Sequence, residues 1–171
     1  MKIITDTKAY VQLNDLAYLM KSSEGKAIPA SVVNKVFGEM FICTDSNRYD
    51  FMEFDDPEEI KFFKNLEYSV DYLECINLTD AELVEKGEEV ASRMNEVAKK
   101  FNSLDETEKG NHLYLVNEHE LLQFKMYSIR DILWFRMGKL KMKLPKDAKD
   151  ICASKKPESK FKKIVNIFKR R

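Results

Sequence analysis

The chain has 171 residues and carries 29 Lys and Arg against 29 Asp and Glu, so its formal net charge is zero. That length fits one domain, or one domain with a tail, and a hydrophobic content of 44% supplies a core. No apolar run approaches the roughly 20 residues of a membrane span, and no apolar stretch near the start resembles a signal peptide. Three Cys without CxxC spacing indicate neither a disulfide framework nor a zinc site. We therefore expect a cytoplasmic protein with no metal and no other cofactor.

Short elements are predicted over the first 54 residues. The stretch "MKII" predicts a first strand, and the apolar spacing over 13–21 predicts a helix. "PASVVNKVFG" predicts a second short helix, with Pro29 near its start and Gly38 near its end. Over 40–54, two aromatic and β-branched runs flank the turn formers "TDSN", which predicts a β-hairpin.

Three longer helices are predicted next. Asp56 as N-cap and Pro57 at the first helical position begin a helix over 57–76, although its second half also fits a strand. Thr79 and Glu82 form a capping box at the start of a helix over 79–101. A helix over 117–137 is apolar nearly all round, which indicates a central position in the fold or at an oligomer interface.

A strict alternation of residue types follows at 139–144. Leu and Met occupy every second position, and the positions between them are Lys139, Lys141 and Lys143. A period of two predicts a strand with one buried face and a row of lysines on the other. We therefore predict an α+β fold, predominantly helical, as a single domain over 1–145. Its small antiparallel sheet would contain the 40–54 hairpin and the 139–144 strand.

Residues 146–171 are predicted to be a polar linker and a basic amphipathic helical tail. On a helix, one stripe of the tail is apolar and consists of Phe161, Ile164, Val165 and Phe168. The charged residues Lys162, Lys163, Lys169 and Arg170 point away from that stripe. Such a tail fits the acidic helices of its own chain, an anionic membrane surface, or nucleic-acid phosphates contacted together with the lysine row.

Charge is divided unevenly along the chain. Residues 1–124 carry 13 Lys and Arg against 25 Asp and Glu, which gives −12, and residues 125–171 carry 16 against 4, which gives +12. An asymmetry of this size indicates either two halves that attract each other or a surface for a charged partner.

One position in the predicted 117–137 helix suggests a pocket. Phe124, Tyr127, Trp134 and Phe135 share a face of this helix, and Asp131 lies in the middle of that face. A carboxylate among rings is desolvated, so its charge must be paired or its pKa raised. One interpretation is a ligand pocket, as in an enzyme. The favoured interpretation is a core aromatic cluster in which Asp131 binds an Arg, a Lys or backbone amides.

No catalytic signature accompanies these features, so we expect a small non-enzymatic binding protein. One version is a bacterial or phage-type regulator or inhibitor of a nucleic-acid-handling protein, in which acidic helices imitate phosphate or the basic end competes for it. The alternatives are a peripheral membrane protein held by the tail and an enzyme with a pocket around Asp131. A protein is the favoured partner, while nucleic acid or nucleoprotein, an anionic membrane surface and a second copy of the chain stay open.

Overall fold

A computed structural model describes residues 1–21, 28–39 and 42–154. The strands of the described part are β1 (Lys2–Ile4), β2 (Ala9–Gln12) and β3 (Phe51–Phe54). Its helices are α1 (Leu13–Lys21), α2 (Ala30–Gly38), α3 (Pro57–Lys64), α4 (Tyr72–Cys75), α5 (Asp80–Asn102), α6 (Glu106–Lys109), α7 (Leu113–Arg136) and α8 (Lys146–Ser154). The predicted fold class is confirmed, because helices dominate and accompany a small antiparallel sheet.

The sheet has the order β1-β2-β3, and both pairs of strands are antiparallel. Val11 in the central strand pairs with Lys2 on one side and with Met52 on the other. The predicted hairpin over 40–54 is wrong, because β3 pairs with β2 rather than with the residues just before it. Side-chain bonds of Asn47, which accepts from the Thr44 amide at 2.6 Å, hold the preceding segment in a turn instead of a strand.

The predicted strand at 139–144 is also wrong, although its alternation is present. The three lysines of the row are exposed, Leu140 and Met142 are half-buried, and Leu144 is buried. The segment pairs with no strand in the described part of the chain. Met142 packs against a core cluster, and its Sδ accepts a bond from Gln12 Nε2 at 2.9 Å. The period of two therefore reflects an extended chain buried on one side, without a sheet ladder.

The predicted helix over 57–76 is divided into α3 and α4. Asn65 ends α3, and the chain then runs extended beside the first strand, where the Lys2 amide donates to Val70 O at 3.0 Å. Asp71 forms an isolated parallel bridge with Lys2 and caps α4. The strand-like interpretation of this segment is therefore the better one for residues 69–71.

Helices α5 and α7 form a long antiparallel pair. Their direction follows from three contacts along the pair, which join Asp80 to Arg136, Gly87 to Ile129 and Arg93 to Glu118. A Cβ added at Gly87 would make ordinary van der Waals contact with Ile129 Cγ2, at 3.7 Å, so the two helices are close here without requiring a glycine. Helix α5 begins with the predicted capping box of Thr79 and Glu82.

Both faces of the sheet are buried. One face lies in a cluster with residues of α4, α5, α7 and α8, whose members include Ile3, Tyr10, Leu83, Ile132 and Ala148. The opposite face lies in a second cluster with residues of α1, α2, α3 and α7, whose members include Val11, Leu16, Val36, Phe63 and Phe124. Helix α7 contributes to both clusters, which explains why its apolar residues surround it.

Residues 146–154, predicted as the start of a polar linker, instead form α8. Ala148 is fully buried in the first core cluster, and Asp147 accepts a bond from the Tyr10 hydroxyl at 3.0 Å. Helix α8 therefore packs on the sheet. The predicted basic helix of the tail lies outside the described residues.

Candidate binding surface

The side chains predicted to surround Asp131 lie on two sides of α7. Asp131 is 7% exposed, and Phe124 is buried in the second core cluster, where its ring stacks on Tyr18 with centroids 4.5 Å apart. Tyr127 and Trp134 are 39% and 40% exposed and face outward. The structure thus keeps the two outer rings together and places Phe124 inside the core.

Arg130 occupies the space between the two outer rings. Its guanidinium lies 4.7 Å from the centroid of the Tyr127 ring and 4.5 Å from that of Trp134. The same guanidinium donates to Asp131 Oδ1 from Nε at 3.1 Å and from Nη2 at 2.9 Å. Asp131 is therefore paired with an arginine, as one part of the favoured interpretation expected, and this pair holds Arg130 between the rings. The other part, a core aromatic cluster, is wrong for Tyr127 and Trp134, because both rings are exposed.

The lysine row begins where α7 ends. Gly138 has a φ of 69°, which turns the chain back after the helix, and the amides of Lys139 and Leu140 donate to Trp134 O at 2.8 and 3.1 Å. The backbone of the first lysine of the row consequently lies next to that of Trp134, and the side chains of Lys139 and Lys141 are exposed. We call Tyr127, Arg130, Trp134, Lys139 and Lys141 the α7 surface.

Lys143, the third lysine of the row, lies in a different environment. It lines an open cleft together with Asp50, Glu53 and Asp147. Lys8 forms an ion pair with Glu53 across this cleft, at 2.7 Å. Burial and the bond to Asp147 raise the pKa of Tyr10, at the base of the cleft, to about 12. Lys143 thus shares its cleft with three carboxylates and with Lys8 and Lys146, whereas the Lys139 backbone bonds to Trp134.

A buried ionic group lies below the sheet. The Met1 amine and the Ser69 hydroxyl both donate to the Asp15 carboxylate, and all three groups are buried. Burial lowers the pKa of the amine, and the charges of Asp15 and Asp131 partly oppose that shift. Each charge of this group has a partner, which is the arrangement that burial requires.

Two arginines of α7 have roles that sequence reasoning missed. Arg136 donates to Leu78 O at 2.8 Å and to Cys75 O at 2.6 Å, and it pairs with Asp80 at 3.2 Å. It therefore ties the end of α7 to the start of α5. The place of Arg130 had a local signal, because residues three and four apart on a helix are neighbours and Tyr127 and Trp134 stand at those spacings.

The described residues give little support for other kinds of site. Burial raises the pKa of the Cys43 and Cys75 thiols, which disfavours the reactive thiolate. Within the described ranges, no group of three or more His, Cys, Asp or Glu side chains is arranged to hold a metal ion. None of the helices described has the length and apolar composition needed to cross a membrane.

Comparisons of the chain with protein-family models, with curated proteins and with solved structures find no match. Function is therefore inferred from the side chains of this chain alone.

Proposed function

We propose that the chain is a small non-enzymatic binding protein that regulates or inhibits a nucleic-acid-handling protein through its charge-polarised surface. The observation that carries this proposal is the separation of exposed charge between two elements. Helix α5 exposes glutamates, whereas the segment that follows α7 exposes lysines. A surface that is acidic in one region and basic in another favours binding to charged partners and steers their approach.

The acidic side of this surface is a helix with a regular row of carboxylates. Four of its five exposed glutamates, Glu82, Glu85, Glu89 and Glu96, recur at intervals of three, four and seven residues, and the fifth is Glu88. Packing against α7 and the capping box at Thr79 make α5 rigid, so the carboxylates keep their spacing. A rigid row of negative charges would compete with a phosphate backbone for the basic groove of a nucleic-acid-binding partner.

The test is capture of a partner from native lysate with the tagged chain, with and without nuclease treatment. We expect a protein to be captured in both conditions and to be lost when Glu85, Glu88 and Glu89 are all replaced by Lys. The matched control replaces three exposed lysines that lie outside α5, Lys21, Lys61 and Lys64, by Glu. Capture that disappears after nuclease treatment, or capture that both triple variants retain equally, would contradict the proposal.

A further inference from the structure

The α7 surface holds two aromatic rings in fixed positions at the protein surface. Arg130 packs between Tyr127 and Trp134, and the carboxylate of Asp131 anchors Arg130 from the buried side. Gln123 Nε2 also donates to the Tyr127 hydroxyl, at 2.9 Å. Rings ordered in this way lose little conformational entropy when a ligand binds.

Positive charge follows Trp134 closely in the structure, because the Lys139 amide bonds to Trp134 O and the side chains of Lys139 and Lys141 are exposed. The sequence from 132 to 146 contains no Asp or Glu. In the described part of the chain, no carboxylate pairs with Lys139 or Lys141, whereas Arg130 is neutralised by Asp131 and Arg136 by Asp80. The charge available to a ligand at this surface is therefore that of the two lysines.

We propose that the α7 surface binds single-stranded nucleic acid, with bases on Tyr127 and Trp134 and phosphates on Lys139 and Lys141. Exposed aromatic rings beside uncompensated cations are the two components that bind single strands without sequence preference. A duplex hides the faces of its bases, so stacking on the rings favours a single strand. This inference goes beyond the proposed function, which concerns a protein partner, and either can hold without the other.

Trp134 allows this site to be observed separately from the rest of the chain, because it is the sole tryptophan. The full chain is titrated with an oligothymidylate and with a duplex of equal length, and Trp134 fluorescence is recorded at low and at physiological salt. We expect saturable quenching by the single strand, weaker quenching by the duplex, and a loss of affinity as salt rises.

Two variants and their controls assign the contacts. Tyr127→Ala is expected to weaken oligothymidylate binding about tenfold, whereas Tyr114→Ala, also on α7 and 52% exposed, should leave it unchanged. If Tyr127→Ala lowers the melting temperature, Tyr127→Leu retains apolar packing without an aromatic face. Replacing Lys139 and Lys141 by Ala should reduce the slope of log K against log salt by about 1.4, at roughly 0.7 per phosphate contact. The same change at Lys61 and Lys64, which are exposed on α3, should not alter the slope.

Several results would overturn the proposal. Absence of oligothymidylate binding at low salt would do so. Binding that does not change Trp134 fluorescence and that Tyr127→Ala does not weaken would also do so, since the nucleic acid would then lie elsewhere on the chain. Equal quenching by the duplex would refute stacking. If no oligonucleotide binds and Tyr127→Ala instead abolishes capture of a protein, the occupant of the surface is a protein.

Discussion

Lys2 provides the sharpest test of how the sheet is attached to its helices. It is 4% exposed, and its ammonium donates to the backbone oxygens of Phe63 at 2.5 Å, Lys64 at 3.1 Å and Leu66 at 2.7 Å. These oxygens lie at the end of α3, where the helix dipole also favours a cation. Burial lowers the pKa of Lys2, so the desolvation of its charge opposes these bonds.

The magnitude of a Lys2→Met change follows from these contacts. The methionine retains most of the packing, but Leu66 O loses its donor in a buried position and Phe63 O loses a charge-assisted bond. Lys64 O is part-buried, so water can replace its donor. Hydrogen bonds to charged groups contribute about 1.5–3 kcal/mol each, and the relieved desolvation of the ammonium offsets part of their loss. We therefore expect a loss of about 3 kcal/mol in the free energy of unfolding.

Urea denaturation measures this loss, and Lys8→Met is the matched control. Lys8 is also close to the sheet, but its ion pair with Glu53 is solvent-exposed, so its replacement should change stability much less. A Lys2→Met protein that unfolds at the same urea concentration as the Lys8→Met protein would refute the reasoning. It would show that the three carbonyl bonds only balance the cost of burying the charge.

Four further predictions concern stability. Burial raises the pKa of Asp71 in the folded protein above its ordinary value of 3.8. The charged carboxylate therefore lowers the free energy of unfolding at neutral pH, and this cost disappears as the pH falls toward 3.8. Asp71→Asn should therefore raise the melting temperature at neutral pH and leave it unchanged below pH 3.8. A difference in melting temperature between variant and wild type that is the same at both pH values would contradict this account. Thr79→Ala removes the cap of α5 and should cost about 1 kcal/mol in urea unfolding. Val90→Asp should prevent folding, because it places an unpaired charge in the first core cluster, and a wild-type melting curve would show that Val90 is not core. Deleting 155–171 should preserve the melting temperature, whereas deleting 146–171 should lower it, because α8 buries Ala148 in the core. Equal melting curves for the two deletion variants would contradict this role of α8.

Features that depend on near neighbours in sequence could be predicted. Asp56 accepts from the amide of Glu58 at 2.8 Å, and Thr79 accepts from the amide of Glu82 at 3.2 Å, so each cap is complete within three residues. Caps of this kind depend on residues that are close together in the sequence. The starts of α3 and α5 were therefore accessible without the structure.

The partners of the strands could not be predicted in the same way. β3 pairs with β2, about forty residues earlier in the chain, and the turn formers before β3 suggested a closer partner. The alternation at 139–144 predicted correctly which side chains are buried, but it did not predict that the segment pairs with no described strand. A period of two indicates that one side of an extended chain is buried, and it carries no information about a neighbouring strand. Lys2 was beyond prediction for a related reason. Its three acceptors lie more than sixty residues away, and a lysine is rarely so buried.

The structure shows that the cations in the basic half of the sequence are not equally available to a partner. Along the chain, every cation after residue 124 contributes equally to the basic half, yet in the described structure two of them are paired with carboxylates. Arg130 pairs with Asp131 and Arg136 pairs with Asp80. Lys143 forms no such ion pair with a described residue but shares a cleft with three carboxylates and two other lysines. Lys139 and Lys141 are exposed and have no ion pair in the described structure, and the Lys139 amide bonds to Trp134 O. A partner that responds to the total charge of the basic half would be insensitive to which lysine is replaced. A partner of the α7 surface would depend on these two lysines, and only such a partner would also sense the loss of an aromatic ring.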